Sequence, residues 1–245
     1  MPVLTESIDL LGAAVRHSFN SVVITDAEIE SGGPFIVHCN PAFRAMTGYA
    51  LEELIGRSPR MLQGPETDRA LMREARRCMA EGRYFEGQTV NYRKDGTRYV
   101  VRWNLIPIYD RWGEISHFVS VQQDLTSRVE AQRERDLLLT ALNASADAIV
   151  VAGLDDRIEY ANAGFGRLTG WDPEVVVGQP LALLQPSFEA GADWRADLAG
   201  GRSCHRRVSW RCRDGHRVTL EETLTPVADA CGRTTRYVCT AREVG

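Results

Sequence analysis

Two amides are the residues with the clearest chemical potential. Asn91 ends the run Gly87, Thr89, Asn91, and Gln122 ends the run Phe118, Ser120, Gln122. Alternate residues of a strand share one face. Between these runs, Tyr99, Val101, Trp103 and Leu105 share a face of a third. If all three faces turn toward one core, two amides and two hydroxyls enter a largely apolar cavity. Buried amides without partners are costly. The chemistry open to this set is recognition of a polar, flat ligand with several hydrogen-bonding atoms. Neither catalysis nor metal binding is indicated. The six cysteines (Cys39, Cys78, Cys204, Cys212, Cys231 and Cys239) form no CxxC pair, Cys204-His205 is the sole Cys/His neighbour pair, and four-ligand zinc spacing is absent. Several lie within apolar strand patterns and read as buried free thiols.

The elements that must position the amides are legible around them. Asn40 is a good N-cap, Pro41 suits the first helical position and Gly48 can end the short helix. Asp172-Pro173 opens another short helix in the same way. Thr67 to Ala80 reads as a longer helix. Leu71, Met72, Ala75, Cys78 and Met79 form its apolar side, and Arg69, Arg73, Arg76 and Arg77 its other side. Asp95-Gly96 is a hairpin signal between the first two strands, and Asp110 to Gly113 joins the second and third. The outer face of these strands carries Val90, Tyr92, Val100, Ile106, Val119 and Val121. An apolar outer face calls for a cover. A helical stripe of Ile8, Leu11, Val15 and Phe19 is one candidate, and a second protomer is the other.

The pattern occurs twice. Asn40 matches Asn162, Gly48 matches Gly170, Gly56 matches Gly178 and Gln63 matches Gln185, each 122 residues apart (162 − 40). Lys94-Asp95-Gly96 matches Arg213-Asp214-Gly215, 119 residues apart (214 − 95). The first copy is slightly longer in its early loop, "EIESGGPF". The second differs at the telling places: Arg60 becomes Ala182, Asn91 becomes Trp210 and Gln122 becomes Ala241. Its smaller, more apolar cavity is expected to fill itself with side chains. Glu222 falls on its inner face, and exposure at a sheet edge is the expected explanation. Between the copies, "DLTSRVEAQRERDLLLTALNAS" has helix-pair spacing at Asp124/Arg128 and Glu130/Arg133. It reads as a continuous signalling helix or as a solvated helical linker.

At 245 residues, 44% hydrophobic and 25% charged, the chain can bury two ordinary cores, and a net charge of −4 gives no hint of nucleic-acid or membrane binding. No apolar run approaches membrane-spanning length, and the start lacks the form of a signal peptide. A cytoplasmic protein is expected.

The stretches "GRSPRMLQGPETD", "NYRKDG" and "HFVSVQQD" give the chain its resemblance. It is similar to two PAS domains in tandem, and the first resembles the light-oxygen-voltage (LOV) subfamily, whose members bind flavin. The implied fold is α+β: two PAS domains, each an antiparallel five-stranded sheet with helices on one face, joined by a helical linker. The expected boundaries are a cap helix over 1–20, a first domain over 21–125, a linker over 126–143 and a second, cofactor-free domain over 144–245. The resemblance implies a flavin site made of Ser58, Arg60, Gln63, Arg76, Asn91 and Gln122. Arg60 and Arg76 would meet the phosphate, Gln63 the ribityl chain, Asn91 the pyrimidine edge and Gln122 the ring nitrogen N5. Arginine forks suit phosphate oxygens, and FMN is preferred to FAD. Two positions depart from the family pattern. Val101 replaces a second amide, and Ser58-Pro59 replaces the Asn-Cys pair that carries the reactive thiol.

Without that thiol the cysteinyl–flavin bond is excluded, but electron exchange is not. The resemblance thus implies a sensory input module that reads redox state or oxygen, like the flavin redox sensors of the PAS superfamily. A blue-light sensor acting by flavin photoreduction is the alternative, and a cofactor-free dimerisation module is the alternative of another class. No phosphoacceptor box, GGDEF run or P-loop marks an enzyme, so a kinase or cyclase output domain is expected to follow. The expected assembly is a homodimer through the N-terminal and linker helices and the outer sheet face.

Overall fold

The computed structural model describes residues 13, 15–184 and 194–244. It divides the chain into two units, Met1–Gln132 and Arg133–Gly245. The first contains strands β1 (Ser21–Asp26) and β2 (Ile36–Cys39), helices α1 (Pro41–Thr47) and α2 (Leu51–Leu54), a 3-10 turn (Pro59–Leu62), helix α3 (Arg69–Ala80), and strands β3 (Phe85–Tyr92), β4 (Arg98–Tyr109) and β5 (Ile115–Asp124). The five strands form one antiparallel sheet in the order β2-β1-β5-β4-β3. Helix α4 (Thr126–Ala144) follows. The second unit repeats the plan with β6 (Ala148–Gly153), β7 (Ile158–Ala161), α5 (Ala163–Thr169), α6 (Pro173–Val176), a 3-10 turn (Leu181–Leu183), α7 (Trp194–Ala199), β8 (Cys204–Arg211), β9 (Arg217–Ala228) and β10 (Thr234–Glu243). Its sheet order is β7-β6-β10-β9-β8. The α+β architecture expected from the sequence is present twice.

The caps act as read. Asn40 Oδ1 accepts the backbone N–H of Phe43 at 3.0 Å and of Val22 at 2.9 Å, while its Nδ2 donates to the carbonyls of Val15 and Asn20. One fully buried amide thus joins helix, strand and the segment before them. Asn162 repeats this with Phe165, Ile149, Leu142 and Asp147. Gly48 closes α1 at φ 78°, a left-handed conformation that glycine adopts without a Cβ penalty. Helix α3 starts at Arg69, two residues later than expected, because the Asp68 carboxylate accepts the N–H groups of Ala70 and Leu71 and makes Asp68 the cap. Thr67 is buried instead, and its hydroxyl donates to Val90 O at 2.6 Å, tying the helix start to β3.

The linker helix forms, but neither of its expected pairs does. Asp124 is the last residue of β5, and its carboxylate pairs with Arg93 at 2.5 Å rather than with Arg128. Its other oxygen accepts the Thr126 N–H at 2.8 Å, so it also anchors the first turn of α4. Glu130 and Arg133 lie on α4 without pairing to each other. Of the proposed N-terminal stripe, Ile8 and Leu11 lie outside the described residues, and Phe19 is fully exposed rather than packed on the sheet. On the outer face Ile106 and Ile108 remain exposed, at 36% and 40%.

The cores differ. In the second unit nineteen buried apolar residues form one continuous cluster that includes Trp210, Phe165 and Tyr237. In the first unit the core is divided. Val23, Ile36, Phe43 and Leu62 belong to one cluster, and Ala75, Met79, Phe85 and Phe118 to another.

Candidate functional site

A cavity of about 400 Å³ opens beside both halves of the divided core. The inner faces of β1, β3, β4 and β5 form its floor, and the 3-10 turn and α3 form its other wall. All six residues singled out from the sequence line it: Ser58, Arg60, Gln63, Arg76, Asn91 and Gln122.

Each is placed for a local reason. The Ser58 hydroxyl caps the 3-10 turn by accepting the Arg60 N–H, and Pro59 takes the turn's first position. That turn brings Arg60 to the mouth. Gln63 Oε1 accepts from Arg69 Nη1 at 3.4 Å, and its Nε2 lies 3.3 Å from Met72 Sδ. Arg76 lies 3.4 Å from Glu30 in the β1–β2 loop. Asn91 faces Tyr99 across β3 and β4, and Gln122 faces Trp103 across β4 and β5 and Ser21 across β1 and β5.

Sequence reasoning missed some of the lining. Arg69 and Arg73 join Arg60 and Arg76 around the mouth. Helical spacing carried the signal, since residues 69, 72, 73 and 76 fall on one face of α3. Thr25 also lines the cavity, as does Trp103, which strand alternation places on the inner face. None of the six cysteines does, so no thiol elsewhere in the chain stands in for the one missing at Pro59.

The floor holds unmet polar groups. Among the described residues, eight buried side-chain polar atoms lack a hydrogen-bond partner, and seven belong to the first unit. Four of these sit on residues lining the cavity: Thr25 Oγ1, Asn91 Oδ1, Trp103 Nε1 and Gln122 Oε1. Buried polar groups are normally satisfied. The arrangement therefore fits a ligand with several donors and acceptors on a flat edge and an anionic end near the arginines. A flavin has both. Behind the floor, burial pushes the Tyr99 phenol up to about 12, so it stays neutral, and the Arg93 guanidinium lies 4.6 Å from its ring centroid.

Comparison with known proteins decides the family. Residues 20–127 match a model of the PAS domain and residues 136–244 a model of the PAS fold. The chain belongs to the PAS family. Its two PAS domains form a tandem sensory region. Among curated relatives, a blue-light-activated histidine kinase of Brucella canis is 35% identical over 180 residues, covering 72% of this chain and 34% of that protein. The corresponding protein of Brucella ovis is 34% identical over the same span. A nitrogen fixation regulatory protein of Klebsiella oxytoca is 31% identical over 155 residues, covering 62% of this chain and 30% of that one. The chain spans about a third of the length of the curated relatives it matches. No helix among the described residues is long and apolar enough to cross a membrane.

The second PAS domain corrects one expectation. Glu222 is not exposed at an edge but 2% accessible. Strand β9 pairs with both β8 and β10 and is therefore central. The Glu222 carboxylate meets Arg206 Nε at 2.5 Å, Trp210 Nε1 at 3.1 Å and Cys239 Sγ at 3.2 Å. Trp210, at the position of Asn91, fills the space with its ring.

Proposed function

We propose that the first PAS domain binds one flavin without a covalent bond and that the chain is the sensory input of a signal-transduction protein responding to redox state or oxygen. The observation that carries this reading is the pair of partnerless amide oxygens, Asn91 Oδ1 and Gln122 Oε1, on the floor of a cavity whose mouth holds four arginines. Asn91 and Gln122 hold the ring edge, and Arg60 and Arg76 the phosphate, with Ser58 and Gln63 between them. FMN is preferred, and FAD can extend from the same mouth. The bound flavin supplies reversible electron uptake, coupled to protonation at N5. Gln122 can meet that atom with its carbonyl oxygen or, after rotation, with its NH2 group. Strand β5 carries Gln122 and runs into α4, so a change at Gln122 has a short route to the linker.

A second reading has its own support. The relatives named as blue-light-activated histidine kinases favour light as the stimulus. Since Pro59 offers no thiol, light would act by photoreducing the flavin. Both readings include a kinase output beyond this region and a homodimer. The linker helix favours the dimer, since none of its residues is buried and Leu137 and Leu138 are 69% and 57% exposed. Illumination of the purified protein at controlled potential separates the readings. At a potential that keeps the flavin oxidised in the dark, illumination alone changes the linker of a light sensor, whereas a redox sensor changes its linker only when the potential is lowered.

A further inference from the structure

The two PAS domains place matched residues in matched roles, and the comparison isolates one side chain. An offset of 119 residues relates β3 to β8 (204 − 85) and β5 to β10 (234 − 115). The same offset pairs Trp103 with Glu222, Asn91 with Trp210, Ser120 with Cys239 and Gln122 with Ala241. In the second domain the polar atoms of this row satisfy one another, with the Trp210 indole donating to Glu222. In the first domain Trp103 Nε1, Asn91 Oδ1 and Gln122 Oε1 are all buried without partners.

Trp103 differs from the two amides in kind. An amide can rotate to present either a donor or an acceptor, whereas an indole N–H only donates. Its demand for an acceptor is fixed. The ring is also held in place. It packs on Phe85 with centroids 5.0 Å apart and planes inclined by 49°. Phe85 has room because its neighbour on the inner face is Gly87, where a Cβ would fall 2.9 Å from the Phe85 ring. Gln122 lies directly across the β4–β5 ladder, and Val101, the next inner-face residue of β4, brings no polar atom.

We propose that Trp103 is a ligand-contacting residue whose indole N–H donates to an acceptor atom on the flavin ring, a carbonyl oxygen or ring nitrogen beside the atom that Gln122 meets. This assignment rests on the flavin reading. It makes the floor a mixed edge, with Trp103 donating where Asn91 Oδ1 and Gln122 Oε1 accept. A donor to the ring favours its electron-rich, reduced form, so Trp103 sets the midpoint potential upward as well as adding affinity.

The test compares wild type with Trp103→Phe, using FMN and FAD as probes. Phenylalanine keeps an aromatic ring against Phe85 and removes the N–H. The expected result is flavin affinity lower by about tenfold, a flavin vibrational band shifted toward that of a weaker hydrogen bond, and a more negative midpoint potential. The melting temperature of the flavin-free protein should not fall, which separates a ligand contact from a packing role. Should Trp103→Phe not fold, replacing Trp103 with benzothienylalanine, which exchanges the N–H for sulfur at nearly the same shape, gives the same comparison. Wild-type affinity, vibrational bands and potential in the variant would overturn the assignment while leaving the flavin reading intact. A wild-type protein that takes up no flavin overturns both.

Discussion

Gln122 Nε2 donates to Ser120 Oγ at 3.3 Å, two residues earlier on the same strand, while Gln122 Oε1 is buried without a partner. A serine hydroxyl can accept from the amide or donate to it. Ser120 can therefore support either orientation of Gln122, which is the property a two-state contact needs.

Replacing Gln122 with Leu tests that contact. Leucine fills similar space but exchanges no hydrogen bonds. The variant should still hold flavin and should lose the dependence of the linker on flavin reduction. Spin-label distances near Arg133 across the proposed dimer would report it. A redox-dependent shift that survives in Gln122→Leu means the signal leaves by another route.

The arginines at the mouth should not be equal. Arg60 has no acidic partner among the described residues, whereas Arg76 lies near Glu30. Arg60→Ala should weaken flavin retention by about 1.5–3 kcal/mol, the scale of a charge-assisted hydrogen bond. Arg76→Ala should cost less, because Glu30 already offsets part of the Arg76 charge and competes with the phosphate for it. Equilibrium dialysis against FMN measures both. Two variants that retain flavin like the parent would reduce these side chains to surface charges.

Asp124 gives the junction of strand and linker a pH dependence. Burial works against its charge, but hydrogen bonds from Thr126 and Arg93 hold its carboxyl below the ordinary 3.8. A depressed value means the anchor contributes fully above 3.8 and is lost as pH falls through the lower, folded value. Hydrogen exchange in the first turn of α4 should therefore be insensitive to this group near neutrality and accelerate only in strong acid. Asp124→Asn should produce the looser junction at pH 7, at a cost of roughly 1 kcal/mol. Unchanged protection in that variant would remove Asp124 from the junction.

The local features of this chain could be read without coordinates because they are decided within a few residues. Alternation placed Asn91, Trp103 and Gln122 on one face, and the caps at Asn40 and Asp172 followed from residue type. What escaped was decided over longer distances. Asp124 chose Arg93, 31 residues away in sequence, over Arg128 on the next helical turn. Glu222 was read as an edge residue because strand order is not visible in strand pattern, and a central position forces a carboxylate to find partners. Arg69 and Arg73 read only as the other side of a helix, because the cavity they border is assembled from elements distant in sequence. The Trp103 indole was counted as apolar, although it carries the donor that the floor leaves unmet.

The most direct measurement is the flavin content of the purified protein, taken from its absorption spectrum and from chromatography of the extracted ligand. The account predicts a flavin spectrum, no cysteinyl adduct on illumination, and at most one flavin per chain, all of it in the first PAS domain. A colourless protein that takes up no added flavin, or one that holds two flavins per chain, would contradict it.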